Sequence, residues 1–295
     1  MTELVQAIVG GILIGGVYVA ISIGFSLSFG VLDVVDLAVG MWVVIGAFAA
    51  IVASDLLGVD AFLLLPVVFV LFGVVGWLIA PLIYRVRTSK YALPALMGLA
   101  FTFGLATLIR GGLLTAFGYN PRTVHTNFVS GNVELLGITA PMIRVAGFAF
   151  AVVATGLFLA FLFYTRTGLA IRATAQSKEN AGLMGVDVKR ISSLVYAIYT
   201  GLTAVAGALL GAIYAMTPEV GLRYTLFAFF VVVLAGLGSV VGVLAAGLFL
   251  GVLQSLVTTY VGADYTLLVV FGVLFGVLFV ALLLFPQGIS RRGLA

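Results

Sequence analysis

The chain has 295 residues, of which 63% are apolar and 8% charged, with a net charge of +4 and no cysteine. A typical soluble domain carries about 25% charged residues, so 14 Lys/Arg and 10 Asp/Glu cannot clothe a water-soluble globule, and a soluble enzyme is excluded. A disordered chain is excluded by the same apolar excess, and a disulfide framework or thiolate metal site by the absent cysteines.

What remains is a multi-spanning membrane protein. Residues 145–164 and 225–262 run without a charge and without the alternation a barrel strand needs. Only a helix satisfies its own backbone in lipid over such a run. The expected fold is all-α and polytopic, with eight or nine transmembrane helices, one of them broken. Spans are predicted at 4–29, 36–53, 61–84, 92–109, 145–164, 191–215, 225–237, 240–260 and 265–284. The first 30 residues lack a basic start and their apolar run is too long, so they do not read as a cleaved signal. Segment 225–237, 13 residues long, reads as a tilted partner of the next segment or a partly re-entrant piece.

Two carboxylates interrupt the apolar run early, in Gly30-Val31-Leu32-Asp33-Val34-Val35-Asp36-Leu37-Ala38-Val39-Gly40. The 31 residues from Gly24 to Ser54 would make one straight helix about 46 Å long. The hydrocarbon core is about 30 Å thick, so a break near Asp33–Gly40 is expected. Carboxylates at membrane depth usually face a cavity or bundle interior. Asp33, Asp36 and Gly40 are therefore candidates for a substrate route along a broken helix. The other reading is a turn at the cytoplasmic interface with both aspartates hydrated.

Further along, Arg110-Gly111-Gly112 reads as a helix boundary opening a long outer loop, 110–144. That loop holds the turn signal Gly118-Tyr119-Asn120-Pro121 and the single histidine, His125. His125 has no companion for a metal or a proton relay and reads as solvated. No predicted span contains a histidine, so intramembrane Ser/His hydrolysis has no base. Residues 165–190 are the most polar stretch. The spacing predicts two short helices there, the first at 168–175, the second capped by Ser177 with Glu179 in its first turn and ended by Gly185. Ala181, Leu183 and Met184 are read as apolar knobs. Such a helix suits docking into a groove on another protein or lying on lipid headgroups. Gln254 and Ser255 are polar inside a span and either bond across helices or face a pore. The 37 glycines read mainly as helix-packing residues.

The loops sort by charge. Arg85, Arg87, Lys90, Arg166, Arg172, Lys178, Lys189, Arg190, Arg291 and Arg292 share one face when nine spans are counted, against Arg110, Arg122, Arg144 and Arg223 on the other. The positive-inside rule puts the first group in the cytoplasm, with the C-terminus inside and the N-terminus outside.

The inner loop Thr167-Gly168-Leu169-Ala170-Ile171-Arg172-Ala173-Thr174-Ala175-Gln176, followed by Glu179-Asn180-Ala181 and Leu183-Met184-Gly185-Val186, closely resembles the permease subunits of branched-chain amino-acid ABC importers. Within it, Glu179-x-Ala181-x-x-x-Gly185 is similar to a reduced form of the loop that docks on the ATPase. Gly15-Gly16-Val17-Tyr18, Ala204-Val205-Ala206-Gly207 and Gly236-Leu237-Gly238-Ser239 extend the resemblance over nearly the whole chain. One string departs: Asp36-Leu37-Ala38-Val39-Gly40 resembles the related sugar and nucleoside permeases instead.

The resemblance implies one permease domain, 1–295, in the cytoplasmic (inner) membrane, with a coupling-helix loop at 165–190 where Arg172, Ala173, Glu179, Ala181 and Gly185 would dock an ATPase. It implies a second permease subunit, two ATP-binding subunits and an extracytoplasmic substrate-binding protein as partners. The cargo would be branched-chain or other small amino acids or amides. The chain has no Gly-rich loop ending in Gly-Lys-Ser/Thr, so ATP hydrolysis belongs to another subunit. No cofactor, no metal and no nucleic-acid partner is expected. Two alternatives stay open: a sugar or nucleoside ABC permease, and a self-contained ion-coupled carrier using Asp33 and Asp36.

Overall fold

The computed structural model describes residues 2–87, 94–124, 126, 131–135, 138–236 and 238–284. Lys90, Arg291 and Arg292, used above to sort the loops, and His125 lie outside the described residues.

The helices in chain order are α1 (Thr2–Leu32), α2 (Val39–Leu57), α3 (Leu65–Arg87), α4 (Pro94–Phe117), α5 (Met142–Tyr164), α6 (Arg166–Gln176), α7 (Lys178–Leu183), α8 (Val188–Ile213), α9 (Gly221–Ala235), α10 (Val240–Tyr260) and α11 (Thr266–Leu284). A hairpin of β1 (Asn132–Leu135) and β2 (Ile138–Pro141) sits in the long loop before α5. It pairs Asn132 with Pro141 and Leu135 with Ile138 in antiparallel register. Among the described residues, eight helices are long and apolar enough to cross a membrane, and α11 adds a shorter apolar stretch, Thr266–Val277. The all-α polytopic expectation holds, with this hairpin as a small addition.

Two faces frame the bundle. Gln6 near the start of α1 reaches Thr139 in β2, which defines a hairpin face. The far end of α1 meets α7 through Asp33 and Lys178, which defines a loop face. Successive long helices alternate between these faces.

Small residues bring the helices together. At the α1–α10 crossing, a Cβ on Gly15 would lie 3.0 Å from Leu248 Cα, and one on Gly251 would strike the backbone of Gly11 and Gly15. Helices in lipid associate through such close backbone approach because burial from water offers no driving force there. α8 is the most enclosed helix, packed on α1, α2 and α3. Gln254 settles into the same seam: Tyr18 Oη donates to its Oε1 at 2.6 Å, so it bonds across helices.

Three sequence expectations are corrected. First, α4 does not end at 109 but continues to Phe117, so Arg110 lies inside a span rather than at its boundary. Second, the short segment begins at Gly221, preceded by a 3-10 turn at Pro218–Val220. This start packs against the start of α2. Third, Arg223 sits in the first turn of α9 with its guanidinium over the Phe227 ring at 5.4 Å. Arg110 therefore belongs to a helix interior and Arg223 to a helix's first turn, and neither to an outer loop.

Candidate functional site

The break between α1 and α2 is the structural centre of the site. α1 closes with Asp33 in the left-handed region, φ 53°, a conformation Asp tolerates better than most residues. Residues 33–36 leave helical geometry and a turn at 37–38 starts α2. Non-helical backbone at membrane depth must find its hydrogen bonds within the protein. Here two threonines supply them. Thr102 of α4 accepts from Leu37 N at 3.2 Å and lies 3.2 Å from Val35 O. Thr225 of α9 accepts from Gly40 N at 3.1 Å and reaches Leu37 O at 3.4 Å.

The two aspartates separate. Asp36 is buried, 3% exposed. It accepts from Tyr196 Oη and from Ala38 N, both at 2.8 Å, and Trp42 and Tyr199 stand around the same carboxyl. Asp33 is half exposed and lies on the loop face, where Lys178 Nζ donates to it at 2.6 Å and Arg87 approaches to 3.9 Å. The reading of both aspartates as hydrated fails for Asp36, because the aromatic cluster on α8 closes over it. Gly40 fits only as glycine: a Cβ would collide with the carbonyl oxygen of Gly221 and with Thr225.

Lys178 is the first residue of α7, so the ion pair fastens the break to the inner loop. That loop folds as two helices. Thr165 caps α6, accepting from Gly168 N at 2.9 Å, and Ser177 caps α7, accepting from Asn180 N at 3.2 Å. Gly185, φ 84°, turns the chain out of α7. Leu183 and Met184 are 87% and 73% exposed. Ala181 is not an outward knob: it is 1% exposed, turned inward beneath α7. Arg172 lies over the Phe163 ring at 5.1 Å, bracing α5 to α6, and Ala173 is half-buried beside it. Glu179 and Gly185 remain exposed. The structure thus sets Lys178, Asp33 and the break together, with Glu179, Leu183, Met184 and Gly185 on the outer surface of the loop.

A second polar feature was missed in the sequence. Arg110 of α4 grips Glu219, with Nε 3.1 Å and Nη2 2.6 Å from Oε2 and Nη2 also 2.6 Å from Oε1. The pair stands at a cavity of about 370 Å³ between α2, α4 and α9, into which Leu37 and Met41 project from the break. The signal was present in part, as an arginine followed by more apolar sequence. Its partner lies 109 residues away and only the fold brings them together. Among the described residues no cluster of His, Cys, Asp or Glu could hold a metal ion.

These features define a multi-pass membrane protein with a broken helix walling a cavity and tied by an ion pair to a helical loop outside the bundle. The family described as "Branched-chain amino acid transport system / permease component" matches residues 7–282, and the chain belongs to it. It is similar to the high-affinity branched-chain amino acid transport system permease protein LivH of Escherichia coli K12, 30% identical over 97% of this chain and 95% of that one. It is also similar to the BraD permease protein of the same kind of system in Pseudomonas aeruginosa, 28% identical over 97% and 95%. The fructose import permease protein FruG of Bifidobacterium longum is 29% identical over 80% of this chain and 71% of its own. No solved structure matches. The protein is accordingly a transport subunit, and the sequence expectation of a branched-chain amino-acid type permease is borne out at the level of the family.

Proposed function

We propose that the chain is a permease subunit of an ATP-driven importer that carries branched-chain or other small amino acids inward across the cytoplasmic membrane. The supporting observation is the 2.6 Å bond from Lys178 Nζ to Asp33, which links the loop helices directly to the α1–α2 break. The loop face is cytoplasmic, by the positive-inside rule. The end of α11 then points to the cytoplasm and the start of α1 to the outside.

One of the two ATP-hydrolysing subunits grips α6 and α7. Glu179, Leu183, Met184 and Gly185 are presented to it, while Arg172, Ala173 and Ala181 hold the helix pair in shape. When the ATPases close, α7 moves and carries Asp33 with it. Asp33, Asp36 and Gly40 govern the route by fixing the break that walls the cavity. A second permease completes the passage, and an extracytoplasmic binding protein delivers the substrate. In the co-purification test, an ATPase accompanies the wild type and is lost from the L183E/M184E variant. Retention of the ATPase would overturn the docking surface.

A second reading, sugar import, draws on the FruG relative and on the Asp36-Leu37-Ala38-Val39-Gly40 string. Uptake of labelled leucine against labelled fructose by the reconstituted complex separates the two. Uptake by this chain alone, driven by an ion gradient without ATP, would overturn both in favour of a self-contained carrier.

A further inference from the structure

We propose that Arg110 and Glu219 form a binding site for a zwitterionic amino acid in the cavity between α2, α4 and α9. The proposal rests on the import reading and adds the place where this chain holds its substrate.

Depth comes first. Thr102 of α4 bonds the break, and Arg110 lies eight residues farther along the same helix, about 12 Å from it. Phe117, seven residues beyond Arg110, packs its ring 4.9 Å from Phe48 in the middle of α2. Glu219 lies two residues before Gly221, which abuts Gly40. The ion pair therefore stands well inside the span, yet its side chains are 48% and 40% exposed. Charges at that depth face water or protein rather than hydrocarbon. The side of the bundle made by α2, α4 and α9 is thus turned to an aqueous route.

Chemistry narrows the ligand. Arg110 offers a planar fork of donors suited to a carboxylate, and Glu219 offers acceptors suited to an ammonium group. An incoming zwitterion replaces each partner with a group of the same sign, so charge stays balanced with none left over. Leu37, Met41, Phe103, Ala106 and Leu222 give the cavity an apolar lining for an aliphatic side chain. At about 370 Å³, it falls at the small end of the roughly 300–1,000 Å³ range of ligand cavities. Leu37 and Met41 flank Gly40, so movement of the break reshapes this lining.

The test uses the assembled transporter in proteoliposomes with labelled leucine. The neutral pair R110Q/E219Q, which leaves no single charge behind, lowers uptake at least tenfold while the second permease and the ATPases still co-purify. Ala106→Phe fills the cavity without touching either charge and lowers uptake by a similar factor. Unlabelled leucine competes, whereas 4-methylpentanoate, lacking the ammonium, and isopentylamine, lacking the carboxylate, compete at least tenfold more weakly. Wild-type leucine uptake retained within twofold in R110Q/E219Q would overturn the site and leave the import reading intact. Loss of the second permease from that variant would also overturn it, making the pair a subunit contact. A wild-type complex that imports fructose but no leucine would overturn the amino-acid reading itself.

Discussion

The protein holds two acid–base pairs with equally short closest contacts, 2.6 Å, at different depths. Asp33 and Lys178 meet on the loop face, with Arg87 nearby and water within reach. Arg110 and Glu219 meet inside the span, beside the α1–α2 break. An exposed pair adds little stability, typically 0–1 kcal/mol, because solvent and salt screen it. Its value lies in what it connects, here a helix outside the bundle to the break inside it. The inner pair cannot be maintained by screening. Each of its charges needs the other, or a ligand, or water held by the fold. Location, more than bond length, decides what an ion pair does.

Removing one member of each pair sharpens this contrast most. Arg110→Leu leaves the Glu219 carboxylate to be held by water of the cavity alone and costs up to about 3 kcal/mol, the insertion cost of a mid-bilayer charge being the ceiling. Detergent melting of the purified protein should show a large drop, and R110Q/E219Q should recover much of it. If the single and double variants melt alike, the inner pair is no more interdependent than the outer one.

Two changes act on the break that lies between the pairs. Tyr196→Phe removes one of the two hydrogen bonds to buried Asp36 and should cost about 1–3 kcal/mol, the desolvation penalty of a buried polar group that loses a partner. Gly40→Ala forces α2 from α9 at Gly221 and should cost about 1–3 kcal/mol by overpacking. Both are read as lowered melting temperatures, and neither should alter ATPase co-purification. A Gly40→Ala protein with wild-type melting would mean that α9 yields freely at this contact.

The smallest stability effect is expected on the loop face. Lys178→Met should change melting by less than about 1 kcal/mol, yet it should separate ATP hydrolysis from uptake, so that nucleotide turns over while leucine stays outside. Unchanged leucine uptake per ATP would show that the outer pair carries no motion.

Much of this architecture was legible in the sequence, and the rest was not for physical reasons. The break at Asp33–Gly40 followed from length alone, since one helix cannot fill that run within a bilayer. The caps of the inner loop followed from local chemistry: Ser177 and Gly185 act on neighbours three or four residues away. The groups that satisfy the break did not follow. Thr102 and Thr225 are ordinary polar residues in apolar runs, and Thr225 meets Gly40 across 185 positions. Arg110 misled because an arginine near a predicted outer end usually marks an interface. In the fold its charge is matched by Glu219, so α4 passes through it. Ala181 misled because a short apolar helix does not show from its sequence which side rests on the bundle.

The seam between α1 and α10 also bears on how the molecule can change shape. Gly11, Gly15 and Gly251 bring two main chains into direct touch, with no layer of side chains between them to slide or repack. The two helices therefore travel as one rod, a keel running from the hairpin to the inner loop. Rearrangement is left to the cavity side, where α4 and α9 border open space instead of each other's backbone.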